Sequence, residues 1–423
     1  MKNFFDFIKR SPTSFHATES IRQRLLGEGY TELFEDSSWE LKDGGKYFTV
    51  RHGSALIAFR TVKAPCGFMI VASHSDSPSF KVKKSIELSG TYTRVPTETY
   101  GGMIMYSWLD RPLSIAGRLV IRTENGIRTV LVDLDSDVLT IPSIAIHFNR
   151  SVNEGYKFNP AKDTIPLAAI SSEAGELRSR LADAAGVRAD DIVDHDLFVY
   201  VREEPKTVGL SDELILSPRL DDLECVYAST EAFLSAKESE SVPVLVVYDS
   251  EEVGSATVSG ADSTFLTDVL KRISGTDERM IALLGSSVVV SADNAHAIHP
   301  NAPELSDVGN SPVLGGGVVI KYNSNKRYAT DGVSAAVFSE ICKRAGAATQ
   351  SFYNRADMPG GSTLGKILNT QISVMTVDVG LPQLAMHSAV ETASVSDLIT
   401  MEKALTEFFS SSVRVSGNEI VIN

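Results

Sequence analysis

Residues 242–255 read VPVLVVYDSEEVGS, an unbroken apolar run that ends in two adjacent glutamates. A run of this kind, without alternation, fits a strand buried on both faces, as in a parallel sheet covered by helices. Glu251 and Glu252 then stand at the carboxyl end of that strand, where open α/β sheets bind their ligands. One stretch therefore points to both a fold and a site.

Similar runs occur at GFMIVA (67–72) and SSVVV (286–290), with a partly alternating one, ISVMTVDV, at 372–379. Helical patterns lie between and after them. Leu223, Val226, Tyr227 and Leu234 share one face, and Phe265, Leu266, Val269 and Ile273 another. Ser396-Asp397 is predicted to cap a helix carrying Leu398, Met401, Leu405 and Phe408. Upstream, SPTSFHATESIRQRLLGEGY reads as a helix ended by Gly27 and Gly29, and KYFTVRHGSALIAFR as two strands about His52-Gly53. Strands alternating with helices predict an α/β fold with a mostly parallel sheet flanked by helices.

The segment 86–214 has a different texture. GRLVIRT and RTVLVDL alternate, TENG marks a turn, and SEAGELRSRLADAAG is the single helical piece. It is predicted to be a β-rich insertion that divides one α/β domain into 1–85 and 215–423. A chain of 423 residues has room for both parts, since single cores stop growing at about 250–300 residues.

Bulk properties exclude several functions. Forty basic against 54 acidic residues give a net charge of −14, which disfavours a nucleic-acid partner. No apolar run approaches the roughly 20 residues of a membrane helix, so no membrane span is expected. Cys66, Cys225 and Cys342 are odd in number and far apart, which argues against a disulfide framework. With Lys2, Asp6, Lys9 and Arg10 breaking the first apolar stretch, a cytoplasmic protein is expected.

The strand ends are rich in groups that ligate metals. SHSDSP supplies His74 and Asp76, and SADNAHAIHPN supplies Asp293, His296 and His299. His387 follows the 372–379 run, and SPRLDDLE adds Asp221 and Asp222 at a helix start. Each has a plainer reading when taken singly. A histidine after a strand is commonly a surface group, paired acids suit a helix N-terminus, and Asp293 could form a turn. Coincidence at four strand ends points instead to a mixed nitrogen and oxygen cluster suited to Zn²⁺, with enough acids for two ions. Adjacent glutamates then acquire distinct tasks: one ligates, while its neighbour accepts a proton from water acidified to a pKa of about 7. The chemistry implied is metal-assisted hydrolysis.

Seven blocks carry a resemblance: SHSDSPSFKVK, YGGMIMYSWLDRPL, SPRLDDLE, YDSEEVGS, SADNAHAIHPN, RADMPGGSTLG and QLAMHS. In this order, and spanning nearly the whole chain, they resemble the aspartyl aminopeptidases, dinuclear zinc exopeptidases. The resemblance implies a zinc exopeptidase-like fold with an inserted β-rich dimerisation domain, and dimers that assemble into a tetrahedral dodecamer. It implies two divalent ions per subunit, zinc first, with manganese and cobalt as alternatives. His74, Asp221 and Asp293 would hold one ion, and Asp221, Glu252 and His387 the other. Glu251 would be the general base and Asp76 the acid that orients His74. His296, Lys321 and Tyr328 would surround the substrate, with Lys321 facing its side-chain carboxylate. His147, in AIHFNR, would reach into the neighbouring subunit's site. The expected substrates are peptides with N-terminal Asp, and also Glu.

Two positions depart from the family, which often has Asn where this chain has Asp222 and Ser250. Neither departure removes a ligand. The competing enzymatic reading is an aminopeptidase of other specificity, or a deacylase, on the same metal scaffold. A non-catalytic assembly or cargo protein with a structural metal is the third. A free glutamate beside a ligand glutamate argues against that one.

Overall fold

A computed structural model describes residues 1–170 and 175–423. The 242–248 run forms strand Val242–Tyr248, buried at every position. It pairs in parallel with Phe68–His74, which pairs in parallel with Val288–Ala292, which in turn pairs in parallel with Met375–Gly380. These four central strands share one direction, so their carboxyl ends meet at one edge.

Among the described residues the sheet has nine strands, and an antiparallel pairing joins each flank to the parallel centre. Lys46–Arg51 and Ala55–Arg60 form the expected hairpin, and Ala55–Arg60 runs against Val242–Tyr248. Val318–Tyr322 runs against Met375–Gly380 and parallel to Thr349–Tyr353. Sequence patterning missed these last two strands. Thr349–Tyr353 is an edge strand with only Phe352 buried, so it shows no apolar run.

Why the central runs do not alternate is visible in the packing. Leu245 and Val247 join one core with Met69, Val71, Val288 and Val290. Val244 and Val246 join a second with Phe68, Ile70, Ala72 and Val289. Both faces are therefore apolar, each covered by helices. Leu220–Ser235, Gly332–Ala345 and Val395–Ser410 cover the first through Leu223, Val226, Phe338, Ile341, Leu398 and Met401. Phe265–Ser274, Asp277–Leu284 and Leu364–Gln371 cover the second through Phe265, Val269, Leu283 and Leu368.

The expected cap of the last helix is corrected. Helix Val395–Ser410 begins before Asp397 and has Ser394 at its N-cap without a side-chain bond to the helix backbone. The Asp397 carboxylate instead accepts the N–H groups of Gly315 and Gly317 at 2.7 and 2.8 Å. A carboxylate in the first turn is favoured by the helix dipole and remains free to organise a distant loop.

A five-stranded antiparallel sheet occupies the intervening chain, in the order Thr97–Tyr100, Ser79–Val82, Ile192–Val201, Leu113–Thr123, Gly126–Asp133. Its own apolar cluster includes Phe80, Trp108, Ile115, Leu119, Leu197 and Val199. Strand Ser79–Val82 already belongs to this sheet, ahead of residue 86 where the sequence texture changes. Helix Glu176–Ala185 matches the predicted helical piece, whose earlier residues 172–174 lie outside the described set. Among the described residues, no helix is long and apolar enough to cross a membrane.

Candidate metal centre

The parallel register brings the strand ends together. His74 is directly opposite Tyr248, so Glu251 and Glu252 begin three residues beyond it in a short 3-10 turn, Glu251–Val253. Asp293 follows Val288–Ala292. A Cβ on Gly380 would lie 1.9 Å from the Asp293 carbonyl oxygen. Only glycine lets the neighbouring strand approach this closely.

Asp221 and Asp222 open helix Leu220–Ser235 with non-helical backbone angles. The resulting turn presents both oxygens of Asp221 to the cluster. Oδ1 stands 3.6 Å from His74 Nε2, and Oδ2 stands 3.3 Å from His387 Nε2. His387 Nε2 is also 3.4 Å from Glu252 Oε1. Two trios that could hold an ion share Asp221: His74, Asp221 and Asp293, and Asp221, Glu252 and His387. Donor atoms about 2.0–2.2 Å from a tetrahedral Zn²⁺ lie about 3.3–3.6 Å from one another, which is the spacing found.

Two further observations fit a bound cation. Asp221 Oδ1 and Glu252 Oε1 are buried without a hydrogen-bond partner, a costly arrangement unless a cation satisfies them. The histidines report the same surplus of negative charge. Burial would lower both, yet the nearby carboxylates, Asp221 foremost, raise His74 well above its ordinary value and His387 to about 10. The carboxylates that draw protons to these histidines would equally attract a divalent ion.

Glu251 belongs to neither shared-Asp221 trio, although its carboxylate approaches His74 and Glu252 in a third grouping. Burial raises its carboxyl to about 8, with Asp293, Asp76 and Asp221 adding to the effect and His74 opposing it. Asp76 is buried and sits beneath the pair. Its carboxylate accepts the N–H of Glu251 at 3.1 Å and of Glu252 at 3.2 Å. His74 Nδ1 lies 3.1 Å from the Asp76 carbonyl oxygen and 3.4 Å from its Oδ1. Nδ1 is thereby the donor, and Nε2 is left free for a cation.

The remaining predicted residues divide into two groups. Lys321 is buried, with Nζ 3.4 Å from Asp293 Oδ1 and 5.6 Å from the centre of the Tyr328 ring. Burial alone would lower its pKa, but Asp293 raises it, so the ammonium is charged. Tyr328 and His296 both flank Phe352, at ring distances of 6.3 and 6.1 Å. His147, by contrast, lies on an exposed loop with Ile144, Ile146 and the 88% exposed Phe148. His299 is exposed and accepts the N–H of Asn301 through Nδ1.

Sequence reasoning gave no role to Glu391, Tyr100 or Gly102. Glu391 is buried and accepts the N–H of Asp221 at 3.1 Å and of His387 at 2.7 Å, tying two candidate ligands together. Its signal was slight, an acid four residues beyond His387. Asp222, fully buried, accepts the His74 N–H at 3.2 Å, and burial pushes its carboxyl well up.

Comparison with known proteins agrees with this geometry. A family model described as aminopeptidase I zinc metalloprotease (M18) matches residues 7–409. A probable M18 family aminopeptidase 2 of Clostridium acetobutylicum is 42% identical, over 97% of this chain and 98% of its own. Among solved structures, a chain of the Ape4 and Nbr1 complex superposes with a TM-score of 0.93 at 33% identity, covering 97% of this chain and 85% of that one. The S. cerevisiae mApe1 dodecamer gives 0.85 at 28% identity, covering 96% and 95%.

Proposed function

The chain belongs to the M18 family of aminopeptidase I zinc metalloproteases, that of the aspartyl aminopeptidases, and from that premise we propose that it removes N-terminal Asp, and also Glu, from peptides. As a family member it is a metallo-aminopeptidase. The acidic preference is our reading, and one observation carries it. Lys321 is a buried, charged cation immediately beside the metal cluster, in a protein whose net charge of −14 would otherwise repel an acidic side chain.

His74, Asp221 and Asp293 would hold one zinc and Asp221, Glu252 and His387 a second, the two groups having Asp221 in common. The three ligand carboxylates leave an excess of positive charge on two divalent ions. When bound, these ions polarise the scissile carbonyl and acidify a water. Glu251, held by its backbone to Asp76 and outside both ligand trios, would accept a proton from a water at the site and pass it to the leaving amine. Asp76 holds His74 in the tautomer that presents Nε2. His296 and Tyr328 line the approach to the substrate.

His147 fits a role across a subunit boundary. Its loop exposes Ile144, Ile146 and Phe148, an apolar surface suited to a second copy. We read the 86–214 segment as the dimerisation domain and dimers as the unit of a dodecamer, the assembly of the matched mApe1. Three cysteines without disulfides fit a reducing cytoplasm.

The test is a panel of Asp-, Glu-, Leu- and N-acyl substrates against the zinc-loaded protein. Acidic N-termini should be cleaved with kcat/KM at least tenfold above Leu. A preference for Leu or for acylated substrates would overturn the specificity assignment and leave family membership intact.

A further inference from the structure

Residues 100–104, the sequence YGGMI, leave strand Thr97–Tyr100 of the antiparallel sheet and pass directly behind the second trio. Three contacts are made there. Tyr100 Oη donates to Asp76 Oδ2 at 2.8 Å, the same carboxylate that accepts the N–H groups of Glu251 and Glu252. A Cβ on Gly101, whose φ is +72°, would lie 3.1 Å from Glu252 Cβ and 3.5 Å from its Oε2. His387 Nδ1 stands 2.6 Å from the Gly102 carbonyl oxygen, and Ile104 N donates back to the His387 carbonyl at 2.9 Å.

The chemistry of these contacts is specific. A carbonyl oxygen only accepts, so His387 Nδ1 must carry hydrogen, and in the neutral imidazole that binds a cation the lone pair is then on Nε2. Nε2 is the atom that faces Asp221 and Glu252. His387 itself has φ of +65°, a conformation that a non-glycine residue keeps only when its surroundings impose it. The paired bonds to Gly102 and Ile104 impose it.

We propose that residues 100–104 form a positioning strap through which the inserted antiparallel sheet sets the affinity of the second metal site. The strap fixes the tautomer and orientation of His387 and, through Tyr100 and Asp76, the backbone of Glu252. The parallel sheet supplies the ligands, and the insertion makes them fit. This rests on the two-ion reading of the cluster, and it makes the insertion part of the metal centre as well as a surface for assembly.

The test is titration of the metal-stripped, full-length protein with Zn²⁺ against a chromophoric chelator. The wild type should take up two ions, and His387→Ala should lose one. If His387→Ala still binds two as the wild type does, the two-ion reading itself fails. Gly101→Ala should weaken one ion by about 10–100-fold, the range seen when groups behind metal ligands are removed, with the other within about threefold. Excess Zn²⁺ should then restore its kcat, which a merely structural lesion would not allow. Tyr100→Phe, nearly isosteric, carries the test if Gly101→Ala does not fold, with about tenfold weakening of the same ion. Two ions bound at wild-type strength in both variants, with His387→Ala losing one, would overturn the strap while leaving the ligand assignment standing.

Discussion

Lys321 Nζ lies 3.4 Å from Asp293 Oδ1, so the cation proposed to recognise an acidic substrate already touches a proposed metal ligand. Both side chains are almost fully buried, where charge interactions are several-fold stronger than at the surface. On the proposed reading, one lysine would link specificity to the first metal site.

Lys321→Met tests that link. Cleavage of Asp-peptides should fall by about 10–10² in kcat/KM, the scale of one lost charge-assisted contact of roughly 1.5–3 kcal/mol. Any activity on Leu-peptides should fall by less, with zinc content retained. Equal losses on both substrates would mean that Lys321 serves Asp293 alone.

The opening glutamates should separate by role. Glu251→Gln is expected to abolish turnover while keeping both ions, because only the proton acceptor is removed, a contribution of roughly 10²–10⁴ in rate. Glu252→Gln should lose an ion as well as activity. Near-normal kcat in Glu251→Gln, with metal analysis in parallel, would sink the mechanism.

Metal removal should be read in stability and in protons. The unpartnered Asp221 Oδ1 and Glu252 Oε1 cost less when a cation satisfies them, so chelation should lower Tm and zinc should restore it. At a zinc concentration 100 times Kd, each site adds about 2.7 kcal/mol. With His387 raised to about 10 and His74 also raised, both carry protons at neutral pH before an ion binds. Ions bind only neutral imidazoles, so zinc uptake should release protons at pH 7–8, and affinity should fall as pH drops. A titration of the unbuffered protein that shows no acidification on zinc addition would contradict this.

His147 calls for a complementation experiment. His147→Phe should keep metal content and assembly but lose most of kcat. Mixed with Glu251→Gln under conditions of subunit exchange, it should recover part of the activity, since one site then pairs an intact Glu251 with an intact His147. Demonstrated exchange without recovery would remove His147 from the neighbouring site.

What the sequence by itself determined was local in origin. An apolar run without alternation, as in VPVLVVY, can be satisfied only by burial on both faces, so the parallel centre of the sheet was legible. Because ligand-type residues followed such runs closely, His74, Glu251, Glu252 and Asp293 could be named from adjacency, and His387 from the stretch after the last run. Strand Thr349–Tyr353 and the spending of Asp397 on Gly315 and Gly317 could not, since neither leaves a periodic trace. Tertiary structure alone decided which oxygen of Asp221 faces which histidine, that Lys321 leans on Asp293, and that Tyr100 and Gly102 stand behind the second trio. The bond from Gly102 to His387 spans 285 positions. The two ends meet because the strands before them are ordered with Phe68–His74 between Val242–Tyr248 and Val288–Ala292 rather than in chain sequence, and strand order is set by the packing of the whole core rather than by any neighbour in the chain.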